Sequence, residues 1–216
     1  MQDQAQYALL ELFRDGGIMM YFLVLASLLA LGVIIAKGYM LWVAHRESKE
    51  LLALLEAQVK GAGNVEATIR RAEETEGPVA AIVSAALRRV KERQSIADIE
   101  KAIATTGSIE LGFLERGLVL LATVANVAPM MGFLGTVAGM ILAFGAVAEA
   151  GQIEASLVAG GIKVALITTA AGLTIAIPVN IAYNFFVSRI DTLIIDMELG
   201  AQAVLDMVPR RTPAHR

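Results

Sequence analysis

The sequence predicts an all-α integral membrane protein with three transmembrane helices, and three observations carry that prediction. The chain of 216 residues is 56% hydrophobic with a mean hydropathy of +0.64, well above a soluble domain of its size. Its apolar residues gather into three long uncharged runs, and nearly all its Lys and Arg fall on one side of them, Arg14 and Lys163 being the exceptions. There is no cysteine, so neither a disulfide framework nor a thiolate metal site is available.

Residues 1–15, MQDQAQYALLELFRD, carry three acids and one Arg, the wrong sign for the n-region of a signal peptide. They read as a retained segment outside the membrane, a short amphipathic helix through Tyr7, Leu10 and Phe13. From Gly16 to Ala36 there are 21 uncharged residues, matching a hydrocarbon core of roughly 30 Å at about 1.5 Å per residue. This first span is assigned to 16–44, because Lys37, Tyr39 and Trp42 can reach lipid headgroups at its end.

Residues 45–116 are polar and helical in pattern. Leu51, Leu52, Leu55 and Val59 mark one apolar face, GAG at 61–63 interrupts it, and EETEGP at 73–78 stops the next segment so that Pro78 can begin another. Val79, Ile82, Val83, Ala86, Leu87 and Val90 repeat at helical spacing, with Arg88, Arg89, Lys91 and Arg93 on or beside the opposite face. Twelve acids share this region, so the basic cluster reads as a solvated face near anionic headgroups and not as a nucleic-acid surface. Ser95 and Asp98 have the spacing of a capping box, and nothing after them is a strong breaker until Pro129, so one helix of about 80 Å is expected to run from Ser95 to Ala148.

The second span, 117–148, and the third, 157–188, contain residues that lipid does not select: Asn126, Pro129 and Thr136 in one, and Thr168, Thr169, Thr174, Pro178, Asn180 and Asn184 in the other. Pro129, Gly132, Thr136 and Gly139 share one face, as do Ala165, Thr169, Gly172 and Ala176. The glycines read as helix packing, which small residues permit. The threonines have two readings, a bond back to their own helix or oxygen atoms offered to water or a hard cation along a pore formed by several copies. Lys163, in the third span, either snorkels outward or pairs with an acid from another chain.

The link at 149–156 holds two Glu and no basic residue, whereas Val43 to Gly117 holds eleven Lys or Arg and the tail at 189–216 holds four. The positive-inside rule therefore puts 45–116 and the tail in the cytoplasm, and the N-terminus and the link outside. An enzyme is not expected: the two histidines, His45 and His215, lie at span or chain ends, and no acids cluster at ligand spacing. No cofactor is called for.

Three stretches, ELFRDGGIMM, VAPMMGFLGTVAGMI and GGIKVALITTAAGLTIAIPVNIAYNFF, resemble the MotA/TolQ/ExbB ion-channel family, and within it the ExbB/TolQ branch. The resemblance implies a homopentamer in the bacterial inner membrane around two copies of an ExbD/TolR-like single-span partner, whose aspartate carries the coupling ion. It implies work delivered to TonB-linked transport or related envelope processes through a TonB/TolA-like protein. By position, Thr136 and Thr169 match the threonines of the family's ion path and Pro129 its second-span proline; Thr168 adds a hydroxyl, and Lys163, Val164 and Asn126 are candidate partner contacts. Val164 stands where many ExbB and TolQ proteins carry glutamate, which leaves the coupling ion as H⁺ by family default with Na⁺ the alternative. The competing reading is a pentameric scaffold that holds a partner helix without conducting.

Overall fold

The computed structural model describes residues 11–59, 65–152 and 154–208. The described residues form α1 (Ile18–Val59), α2 (Val65–Glu74), α3 (Pro78–Lys91), α4 (Ile96–Glu115), α5 (Leu118–Ala150) and α6 (Ala155–Asp206), with no strand among them. Three helical stretches, Ile18–Gln58, Ile96–Ala150 and Ala155–Asp206, are long and apolar enough to cross a membrane. Residues 11–15 are also helical, and Phe13 stacks edge-on against Tyr21 at 4.9 Å. Tyr7, Leu10 and the GAG at 61–63 lie outside the described residues.

Contacts divide the chain into two compact units. The first comprises Met1–Ala36 and Gly117–Phe185, and the second Lys37–Arg116 and Phe186–Arg216.

In the first unit, α5 packs antiparallel to α6 along a seam of small residues. Leu121, Val124, Ala128, Gly132, Gly135, Gly139 and Ala143 are buried along α5, at steps of three and four residues that keep them on one stripe. Facing them on α6 are Gly161, Ala165, Thr168, Gly172 and Ala176, also buried. The register is read from what a side chain added at each glycine would strike: Gly172 abuts the Ala128 carbonyl, Gly132 abuts Thr168 and Gly172, and Gly139 abuts Gly161 and Ala165. Backbones approach this closely only where Cβ is absent or small. Pro129 and Pro178 both sit inside their helices. Each lacks an N–H, so the carbonyls of Ala125 and Thr174 lose their i+4 donors while the helices continue.

In the second unit, α3 buries Val79, Ile82, Val83, Ala86 and Leu87, which is the apolar face read from the sequence. Pro78 opens that helix at its first turn, where a missing N–H costs nothing. Leu51 and Leu55 of α1 are buried as well. So are Ile190, Leu193, Met197, Ala201 and Val204, at spacings that give the end of α6 an amphipathic face. The segment expected as a tail from 189 is therefore helical to Asp206.

The long helix expected from Ser95 to Ala148 is broken. It begins as expected, since the Ser95 hydroxyl accepts the Asp98 N–H at 3.2 Å and donates to the Asp98 carboxylate at 2.6 Å. It stops after Glu115, where Arg116 is extended and Gly117 takes φ 85°, a left-handed conformation that a residue with Cβ resists. The carbonyls released by that break find a donor within the unit. Lys37 is only 6% exposed, and its ammonium donates to the Leu114 carbonyl at 2.8 Å and the Phe113 carbonyl at 3.2 Å. Lys37 therefore turns inward to close a helix C-terminus, where a cation is favoured, and does not reach for headgroups.

Candidate functional site

The first unit contains all the residues singled out in the second and third spans, and it sorts them into three environments. The seam holds Thr168, which is fully buried against Gly135. Its hydroxyl donates within its own helix, to the Val164 carbonyl at 3.0 Å or the Ala165 carbonyl at 3.1 Å. Within the subunit Thr168 is thus a packing residue, its polar atom satisfied by the backbone in the manner usual for a mid-helix threonine. The sequence grouped it with Thr169 because the two are adjacent, but adjacent residues lie about 100° apart around a helix.

The second environment is the flank beside the seam. Thr136 and Pro129 are half-buried, placed at the edge of the α5 stripe, and Thr169 is half-buried at the edge of the α6 stripe. Thr169 crosses the seam, its hydroxyl donating to the Gly132 carbonyl at 3.3 Å. The Thr136 hydroxyl donates to the Phe133 carbonyl at 2.6 Å. Asn180 and Asn184 lie 11 and 15 residues beyond Thr169, which brings them to the same flank of α6. Both are exposed, and the Asn184 amide donates to the Asn180 side-chain carbonyl at 2.8 Å and to its backbone carbonyl at 3.0 Å. Because α5 and α6 are antiparallel, the Thr136 and Thr169 flanks open on the same side of the pair. These oxygens stand among exposed apolar side chains, including Phe133, Val137 and Met140 on α5 and Leu173 and Ile177 on α6.

The third environment is the outward face. Asn126 is exposed and its amide donates to the Ala122 carbonyl at 2.8 Å. Val164 is half-buried. Lys163 meets an acid in its own chain, the Asp15 carboxylate at 2.5 Å, just ahead of α1. This pair within one chain is a third arrangement, beside the outward reach and the acid of another chain expected for Lys163. Sequence reading missed Asp15 because the pair joins residues 148 positions apart, and only the packing of the first unit brings them together. Both side chains keep contact with solvent, so the pair is a modest clasp.

Chemically, the flank offers hydroxyl and amide oxygens at intervals along two apolar helices, and residues 117–148 and 155–188 contain no Asp or Glu. Such a surface can hand water or a hydrated cation from one neutral oxygen to the next, but it has no carboxylate of its own to load.

A family model described as the MotA/TolQ/ExbB proton channel family matches residues 74–199, which include α3, α4, α5 and most of α6. An ExbB homolog of Methanothermobacter thermautotrophicus is 31% identical over 191 residues, covering 88% of this chain and 67% of that protein. The biopolymer transport protein ExbB of Aquifex aeolicus is 41% identical over 85 residues, 39% of this chain and 57% of its own length. The Tol-Pal system protein TolQ of Haemophilus influenzae is 45% identical over 84 residues, 39% of this chain and 37% of that protein.

Proposed function

The chain belongs to the MotA/TolQ/ExbB proton channel family, in its ExbB/TolQ-like branch, and from that premise we propose that it is the channel subunit of an inner-membrane, ion-driven motor. The observation that carries the proposal is the flank of Thr136, Thr169, Asn180 and Asn184. Four polar side chains lie there beside exposed apolar ones, on helices that lipid would otherwise surround. Copies of the chain arranged around an axis turn such a flank into a polar wall, and the family's oligomer is a pentamer. In this reading α1 lies on the lipid side, 45–116 and the chain end are cytoplasmic, and residues 1–15 and 149–156 are periplasmic.

The wall needs a charge that residues 117–148 do not supply, with Val164 where a glutamate would be. We assign that charge to the aspartate of an ExbD/TolR-like single-span partner, present in two copies in the bore and coupled to a TonB/TolA-like protein. Pro129, which frees the Ala125 carbonyl, and Thr136 and Thr169 line the path, while Thr168 fixes the helix pair that presents them. Asn126, Val164 and Lys163 lie off that flank and serve contacts around it. The proton is the coupling ion by family default, with sodium the alternative on a wall of neutral oxygens.

The test is flux through proteoliposomes holding this chain together with its single-span partner. An imposed gradient should drive H⁺ or Na⁺ across, and varying sodium at fixed pH identifies the ion: dependence on sodium alone removes the proton. A complex that assembles but passes neither ion is the non-conducting scaffold.

A further inference from the structure

A second polar site lies within the other unit. Between α3 and α4 is a cavity of about 510 Å³, within the size range of small-molecule sites. Three cations line it, Arg88 and Arg89 from the end of α3 and Lys101 from the second turn of α4. Three hydroxyl residues also line it, Ser84, Thr105 and Thr106, the Ser84 hydroxyl donating to the Ala81 carbonyl at 3.1 Å. One acid lines it, Asp98, and its carboxylate is engaged by the Ser95 hydroxyl at 2.6 Å in capping α4. Arg89 is held in place by the Gln94 side-chain carbonyl at 2.7 Å, and Arg88 reaches Glu73 only at 3.4 Å, across an exposed pair. Exposed pairs of this kind are worth little and yield readily to a stronger anion.

We infer that this cavity binds a small, soluble, phosphate-bearing anion. Two guanidinium groups and an ammonium supply forked and point-charge donors for phosphate oxygens, and hydroxyls can donate to the remainder. The basic residues are otherwise what topology alone would place near a membrane, but topology does not gather three of them around one concavity with the single acid already bonded. A lipid headgroup is the other source of the same chemistry. The cavity lies 11 to 19 residues before Gly117 on α4, roughly 16–28 Å along the helix, which favours the soluble anion.

The experiment titrates inorganic pyrophosphate into the full chain in detergent micelles by calorimetry, against sodium chloride of equal ionic strength, with short-chain phosphatidate as a second arm. Saturable pyrophosphate binding is expected, weakened at least tenfold in the Arg88→Gln, Lys101→Gln double variant and unchanged in Arg70→Gln, a basic residue outside the cavity. Thr105→Val, which removes a hydroxyl and no charge, should weaken binding by a smaller factor at the same ionic strength. No saturation beyond the salt control, equal binding in the double variant, or binding of phosphatidate alone would overturn the inference.

Discussion

The Lys37 ammonium donates to the Leu114 carbonyl at 2.8 Å, so a charge on the first long helix closes the end of a helix 77 residues later. The break at Gly117 and this buried lysine form one device, because the carbonyls exposed by the break are those the lysine satisfies. Replacing Lys37 with Met keeps most of the stem and removes the donor. A loss of about 1.5–3 kcal/mol is expected, from charged hydrogen bonds given up and carbonyls left unpaired. Thermal unfolding in detergent measures it, and Lys37→Arg should retain part of the stability. A Met variant as stable as the parent would mean that the carbonyls find other donors.

The seam between α5 and α6 gives a second prediction. A Cβ at Gly135 would strike the Thr168 Oγ1, would lie 2.5 Å from its Cβ and 2.8 Å from its Cγ2, so Gly135→Ala forces the helices apart at a cost of about 1–3 kcal/mol. Gly135→Ala combined with Thr168→Gly moves the small residue to the other helix. The double variant should be more stable than the sum of the single effects by over about 0.5 kcal/mol, the threshold at which contact pairs depart from additivity. Strict additivity would contradict the register described.

Asp15 and Lys163 are testable by exchange. Each single charge reversal should cost under about 1 kcal/mol and should cost less as salt rises, since both groups meet solvent. Asp15→Lys together with Lys163→Asp should recover the loss. If the exchange recovers nothing, Lys163 has another partner in the assembled protein.

At the start of α4, the Ser95 hydroxyl bond holds the Asp98 carboxyl below its ordinary value near 3.8, opposed by desolvation and helped by the Ser95 backbone and the charges of Arg89 and Lys101. Because the folded value is depressed, the stabilisation is complete above the ordinary value and is lost as pH falls through the lower folded one. Carboxyl chemical shifts in an NMR titration should place Asp98 below a free aspartate, and Ser95→Ala should move it upward. A shift in the other direction would show that the cap is not what sets the titration.

Much of this organisation was legible in the sequence, because it depends on local spacing. The three apolar stretches, the Pro78 start, the Ser95 cap and the buried face of α3 follow from periodicity and end chemistry. What was not legible depends on residues far apart in the chain. Gly107 and Gly112 lie inside α4 while Gly117 ends it, and no local propensity separates the three; a lysine some 80 residues earlier is placed to receive the break at one of them. The separation of Thr168 from Thr169 likewise required the register of two helices, which puts one in the seam and the other at its edge. The partner of Lys163 was hidden for the same reason.

Ion flux through the reconstituted complex of this chain and its single-span partner, with Thr136→Val and Thr169→Val combined, bears most directly on the proposed path. Valine keeps the bulk and removes the hydroxyl, and Thr123→Val, on an exposed face of α5, is the control. Flux should fall at least tenfold in the double variant, with assembly intact and the control unchanged. Undiminished flux in the double variant would contradict the assignment of these hydroxyls to the ion path.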